Sequence, residues 1–377
     1  MHLFILDLYI SLDTLTPIIN FLNPKKIIVC NTNAIQNYRE DKLLKYLLSK
    51  KIKYLNFVPI NQKAKIVFFI IKLISLLPCA LQKKFKFFFN YIYHNYNFSS
   101  EKLIKNFLIK NKVISVTYEA SSRHCVKEFY FAAKDLNIPV IQVSGGIDID
   151  FKKKKFGNES VKFCNYLLTA NKIRDVNIKN INFEIKYFGS ARYSLPWINN
   201  LKLIYNYKKK KKSKKKINIG IFTEHEVSRG KYEIKKLVEK LKTKNNFEIK
   251  TREKPRDIRP LKCASFNIDE FSSSELIEWS DIIISARATS VLLEAIIKNK
   301  KIIIPSYITN EVRKSHVYKS SFIKIAKSEN QLFNFLFHDN KEISSKKDKK
   351  NFLSKFQINF YKKNKIPNII KNFYQEM

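Results

Sequence analysis

The sequence predicts an α/β protein: two Rossmann-like domains facing each other across a cleft, followed by a C-terminal helical tail. Three observations point there. Short apolar runs alternate with stretches of helical spacing along most of the chain. One unit, "KVISVTYEASSRHCVKEFYFAAKDLNIPVIQVSGG", reads strand, helix, strand, a spacing that means parallel strands joined by a right-handed crossover. The alternation then stops at a lysine block, "NYKKKKKSKKK", and restarts after it. A run of like charge repels itself and stays extended, so it marks a linker. The expected division is residues 1–205 for the first domain, 206–216 for the linker, 217–345 for the second domain and 346–377 for the tail.

Each element has its own reason. "MHLFILDLYISLDTLTPII" reads as a strand and then a helix; it lacks a basic leader and a small-residue cleavage site, so no signal peptide is expected. "KKIIVCNT" and "IKYLNFVP" are strands, and the helix between them carries Leu43, Leu44, Leu47 and Leu48. Within the strand–helix–strand unit, strands are expected at Val113–Thr117 and Pro139–Val143, with a helix near Cys125–Leu136. "SVKFCNYLLTA" and "FEIKYFGSARYSLPW" continue the alternation. Past the linker come a strand at Ile217–Phe222, a helix in "YEIKKLVEKLKTK", a strand "FEIKTRE", a helix "SSSELIEWS", a strand "DIIIS", a helix "SVLLEAIIKN" and a strand "KIIIP". Ligands of such sheets bind beyond the carboxyl ends of the strands, so two facing domains put the site in the cleft between them.

The chain has 377 residues, a length suited to about two domains, and 45% of them are hydrophobic. Basic residues number 72 against 32 acidic ones, a formal net charge of +40. Such a field draws anions: nucleotide diphosphates, acidic glycans or anionic lipid headgroups. Nucleic acid is not the expected partner. The lysines are spread along the chain rather than gathered with stacking aromatics, and no helix-turn-helix, zinc-finger or RNA-binding signature is present. Five scattered cysteines form neither a disulfide framework nor a zinc site, which fits a reducing cytoplasm. No metal and no cofactor are expected. "IVFFIIKLISLLPCAL" is interrupted by Lys72 and Pro78 and is too short for a comfortable membrane span. The basic, aromatic "QKKFKFFFNYIYHNY" after it suits an anionic membrane surface at the inner face of the cytoplasmic membrane, or else an amphipathic helix packed on its own domain.

The densest chemistry lies in "SDIIISARATSVLLEAIIKNKKIIIP". Here a buried-looking strand turns into a helix through Ser285, Arg287, Thr289 and Ser290. Free backbone N–H groups and the helix dipole at that N-terminus favour an anion. The hydroxyls can cap the helix and donate to phosphate, and Arg287 adds a two-pronged donor. Glu294, one turn on, can accept the hydroxyls of a ribose. A capped helix with a solvated glutamate is the plainer alternative. "KTREKPRDIRP" crowds Arg252, Lys254, Arg256 and Arg259 into a proline-punctuated loop, a notable density of arginine in a lysine-preferring chain. "TYEASSRH" and "SGGIDIDF" put Glu119 and Asp148 after strands of the first domain, carboxylates placed to act as a general base at a strand-end ligand site. Each is equally compatible with capping a neighbouring turn.

These stretches resemble GT-B-fold glycosyltransferases of bacterial surface and capsular polysaccharide biosynthesis, related to the CDP-glycerol glycerophosphotransferase and UDP-GlcNAc 2-epimerase-like group. "WSDIIISARATSVLLEAIIKNKKIIIPSY" looks like their nucleotide-diphosphate motif. "LNIPVIQVSGG" looks like the strand and turn that closes the first-domain site, and "FGSARYSLPW" like a "GspRy…W" segment. The likeness covers roughly residues 110–310. It implies a donor site of Ser285, Arg287, Thr289, Ser290 and Glu294, with Arg252, Lys254 and Arg256 stabilising charge on a leaving diphosphate. It also implies a cleft lined by Gly145, Gly146, Arg192, Glu224 and Arg229, with His225 as a proton shuttle. The family's glutamine–histidine–glycine turn has no histidine here, where Ser144 stands, and its "GKP" reads Asn299-Lys300-Lys301. The implied activity is metal-independent transfer from a nucleotide-sugar donor to a glycan or lipid-linked acceptor. A polyol-phosphate transferase or a sugar-nucleotide epimerase is the alternative on the same fold. A basic nucleic-acid-binding protein or a catalytically degenerate scaffold is the alternative of another class.

Overall fold

A computed structural model describes residues 1–7, 9–32, 41–59, 69, 73, 100–119, 125–144, 163–170, 183–205, 216–223, 230–253, 273–286, 290–308, 320–337, 346–355 and 365–377. Among them are two parallel sheets. The first contains β1 (His2–Leu6), β2 (Ile27–Asn31), β3 (Lys53–Asn56), β4 (Ser115–Glu119), β5 (Val140–Val143), β6 (Tyr166–Thr169) and β7 (Glu184–Tyr187), in the order β3-β2-β1-β4-β5-β6-β7. The second contains β8 (Ile217–Thr223), β9 (Phe247–Glu253), β10 (Ile282–Ser285), β11 (Lys301–Pro305) and β12 (Ile323–Ala326), in the order β12-β11-β10-β8-β9. Both are doubly wound. Strand order reverses between β1 and β4 in the first and between β8 and β10 in the second, and such reversals open a crevice at the carboxyl ends. The expected two-part α/β architecture is what forms. Strand β4 starts two residues later than its apolar run suggests, so Glu119 is the strand's last residue.

The described helices are α1 (Tyr9–Ile19), α2 (Lys42–Ser49), α3 (Glu101–Lys110), α4 (Val126–Lys134), α5 (Leu195–Ile204), α6 (Gly230–Lys242), α7 (Ser273–Trp279), α8 (Ser290–Ile297), α9 (Glu329–Phe337), α10 (Lys346–Lys355) and α11 (Lys365–Gln375). None is long and apolar enough to cross a membrane. Local signals place them. Asp41 caps α2, its side chain accepting from the Leu43 N–H at 2.7 Å. Helix α2 then buries Leu43, Leu44 and Leu47, while Leu48 of the same run stays exposed. Helix α6 buries Ile234, Leu237, Val238 and Leu241, one stripe at helical spacing.

The tail is part of both cores. Leu353 of α10 is buried in the core of the second sheet with Leu276, Leu292 and Ile304. Ile366, Ile370, Phe373 and Tyr374 of α11 are buried in the core of the first, with Phe4, Ile141 and Trp197. The Tyr374 hydroxyl lies 2.9 Å from Thr117 Oγ1 on β4, and its ring meets His2 edge-on at 5.3 Å.

His2 is buried, with Nδ1 2.8 Å from Ser115 Oγ. Burial first, then the amino terminus and Lys26, pulls its pKa from 6.5 to about 4. The unfolded chain therefore takes up this proton at higher pH than the native one. Stability is full above pH 6.5 and falls as pH drops from 6.5 towards 4, by on the order of 2 kcal/mol. His2→Asn keeps an acceptor near Ser115 and removes the titration. Urea melts across this window are expected to show a shallower acid slope for the variant; parallel slopes would exclude His2 as a source.

Gly220, in the middle of β8, is required by close packing. A Cβ there would lie 2.2 Å from Ser280 Oγ and 3.1 Å from Leu276 Cγ. Ser280 is held, since its Oγ donates to the Leu276 carbonyl at 2.5 Å. Gly220→Ala is expected to cost about 1–3 kcal/mol, and adding Ser280→Ala should recover part of it in a double-mutant cycle.

Candidate functional site

The two reversal points bring acidic and hydroxyl groups to the strand ends. In the first sheet Asp7 follows β1 and Glu119 ends β4, both almost fully buried. Asp7 is a residue that the sequence reading passed over. Its signal was its place directly after the first strand of a doubly wound sheet, where such folds present ligand-facing groups. In the second sheet Ser285 ends β10 in register with Phe222 of β8, and Ser285 is buried.

Helix α8 starts at Ser290, five residues after Ser285 in the chain. Glu294 lies within it and is 1% exposed. Its Oε2 accepts from Ser274 Oγ of α7 at 3.0 Å. Its Oε1 stands 3.2 Å from Lys298 Nζ, an ion pair in contact whose angles are not those of a hydrogen bond. Lys298 also pairs with Glu278 Oε2 at 3.1 Å, and its side chain is 6% exposed. Glu294 is thus a buried tie between α7 and α8 rather than a solvated carboxylate. At the head of α7, Arg252 Nε donates to Ser273 Oγ at 3.1 Å, so the end of β9 is fastened to the same helix.

The first sheet contributes Arg192. After β7 the chain turns through Gly189, whose φ of 75° is the left-handed conformation that favours glycine. It then runs through Ser190, Ala191 and Arg192 into α5. This segment sits against both cores: Tyr193 and Ile198 are buried in the second sheet's core, Trp197 and Leu201 in the first's. Trp197 and Leu201 are four apart and share a helix face, while Ile198 lies on the adjoining one. Arg192 Nη2 is 3.7 Å from Asp13 Oδ2 of α1. Burial pulls the guanidinium pKa down, but Tyr193, Asp13, Glu294 and Tyr205 outweigh that and hold it above its usual value. Arg192 and Glu294, from opposite sheets, therefore feel each other's charge. A second link joins the same two parts: Lys42 of α2 pairs with Glu275 of α7 and lies 5.7 Å from the Tyr205 ring centroid.

Beyond the ends of β5, β6 and β7 lies a cavity of about 50 Å³. Arg192, Ser144, Ser190, Thr14 and Thr169 line its polar side.

Of the residues singled out from sequence, Glu119, Arg192, Arg252, Ser285 and Glu294 are thus placed, and Ser290 is placed as the first residue of α8. Gly145, Gly146, Asp148, Glu224, His225, Arg229, Lys254, Arg256, Arg287 and Thr289 lie outside the described residues. So do residues 206–215 of the lysine linker and the whole of the basic aromatic stretch near residue 85.

No known protein-family model and no curated protein matches this chain. Solved structures do match along its length. A UDP co-structure of S. aureus MnaA superposes over 100% of this chain and 96% of its own, with a TM-score of 0.52 and 12% identity. The architecture is GT-B. The GT-B likeness extends to the calicheamicin glycosyltransferase CalG4, with a TM-score of 0.51, 8% identity, and 100% and 97% of the two chains covered. It also extends to the wall teichoic acid polymerase TagF soaked with CDPG, with a TM-score of 0.50, 14% identity, and 95% and 90% covered.

Proposed function

We propose that this protein is a glycosyltransferase that moves a sugar from a nucleotide-activated donor to a surface polysaccharide or glycolipid acceptor, without a metal. The observation that carries the reading is the β10–α8 junction: it stands at the strand-order reversal of the second sheet, beside α7, to which Arg252 fastens the end of β9. The donor diphosphate meets the N-terminus of α8 with Arg287, Thr289 and Ser290, beside Ser285. Glu294, tied to Ser274 and paired with Lys298, positions the helix whose N-terminus meets the donor. The acceptor oxygen attacks the anomeric carbon, and the bond from that carbon to the diphosphate oxygen breaks. The electron pair leaves on the diphosphate, where Arg252, Lys254 and Arg256 stabilise it. The acceptor's proton passes to Glu119 or Asp148, with His225 as a shuttle. Gly145, Gly146, Glu224 and Arg229 line the cleft. The protein works in the cytoplasm at the inner face of the membrane, where its charge of +40 suits anionic lipid.

A second reading is favoured by the TagF likeness: transfer of a polyol phosphate from a CDP-linked donor. One experiment separates them. A thermal-shift screen against UDP-, GDP-, CMP- and CDP-linked sugars and CDP-glycerol should give a saturable rise with one ligand, since binding to the native state alone raises the melting temperature. A response to CDP-glycerol alone selects the second reading. No response to any nucleotide, with tight and salt-dependent RNA or DNA binding, would sink both.

A further inference from the structure

We infer that the cavity beside Arg192 is a subsite for a phosphate group carried by the acceptor. This rests on the transferase reading only for the word acceptor; the phosphate site stands on its own geometry. The cavity opens beyond β5, β6 and β7, on the first sheet, whereas the β10–α8 junction belongs to the second. Its volume of about 50 Å³ has room for a phosphate group.

The lining is chemically specific. Arg192 supplies a charge that no physiological pH removes and N–H groups in a planar fork, the geometry that recognises phosphate oxygens. Its carboxylate neighbour, Asp13, stands off at 3.7 Å, well beyond the ~2.8 Å of a charge-assisted hydrogen bond, so the fork is not saturated by that pair. Thr14, Ser144, Thr169 and Ser190 line the same space. Among the described residues no carboxylate lines it. The other walls are apolar, with Ile18, Leu168, Phe188 and Ile370, and suit a group that attaches the phosphate to something greasy. A guanidinium beside hydroxyl-bearing residues and an apolar rim suits a phosphate ester, because its fixed charge favours an anion over a neutral sugar.

The test uses the full chain in moderate salt, with inorganic phosphate, hexyl phosphate and hexanol as probes and calorimetry and thermal shift as readouts. Hexyl phosphate is expected to bind saturably and hexanol not at all. Arg192→Gln should weaken hexyl phosphate more than tenfold, since it removes a charged hydrogen-bond partner. Thr14→Val, close in shape and lacking the hydroxyl, should weaken it less, and the melts report whether each variant folds. Inorganic phosphate binding as tightly as hexyl phosphate assigns the site to a phosphate on a polar acceptor. Tighter hexyl phosphate assigns it to a lipid-linked one. Equal affinity in the parent and both variants, or displacement of hexyl phosphate by UDP, would overturn the subsite. Failure of every nucleotide to bind, with Arg192-dependent hexyl phosphate binding intact, would remove the donor assignment and keep this one.

Discussion

Ending the chain before Lys365 is expected to prevent the first sheet's core from closing. Helix α11 contributes Ile366, Ile370, Phe373 and Tyr374 to that core, all 8% exposed or less. Each such side chain is worth about 1.5–3 kcal/mol of burial, against a total of about 5–15 kcal/mol for a typical domain. Removal also bares the side chains that α11 covers, Phe4 and Ile18 among them. The truncated protein should bind a hydrophobic dye, lose near-ultraviolet dichroism and aggregate on warming. A cooperative melt close to that of the parent would show that α11 is dispensable. Point variants grade the effect: Phe373→Ala should cost about 3–5 kcal/mol. Tyr374→Phe, which removes only the hydroxyl shared with Thr117, should cost about 1 kcal/mol.

Glu294→Ala is expected to destabilise the second sheet's core by about 3 kcal/mol, because removing one member of a buried ionic group leaves the rest undercompensated. Lys298 would lose one of its carboxylates, and Ser274 would lose its acceptor. This variant therefore cannot separate a binding role from a structural one. Glu294→Gln can. It preserves shape and an acceptor for Ser274 while removing the charge that Lys298 and Arg192 sense. Under the proposed function Glu294→Gln folds and loses nucleotide affinity. A variant that melts like the parent and still binds nucleotide with parental affinity would confine Glu294 to structure.

The strands were legible because parallel, doubly covered strands read as continuous apolar runs. "KIIIP" coincides with β11 residue for residue, and the edge strand β9 was legible instead from the alternation at the start of "FEIKTRE". Glu294's surroundings were legible too, from a different cue. The helix "SVLLEAII" is apolar on every side, which marks a buried helix, and Lys298 sits at the i+4 position suited to an ion pair. Reading Glu294 as solvated ignored both. The destination of α11 was less accessible. Its stripe of Ile366, Ile370, Phe373 and Tyr374 announces a helix with one buried face. Local periodicity does not say which of two sheets that face covers. The cavity at Arg192 is invisible for the same reason, since its walls come from α1, three strand ends and α11, brought together only by the fold.

The pairing of Tyr374 with Thr117 across 257 positions has a consequence for how the molecule is made. A nascent chain emerges from the ribosome with all seven strands of the first sheet available well before α11 is synthesised. Throughout that interval one apolar face of the sheet, already covered by α1, α2 and α5, lacks the rest of its cover, while the second sheet can already assemble. The half made first is the half finished last. During synthesis it offers a surface for chaperones, or for a neighbouring copy of itself, until the closing helix arrives.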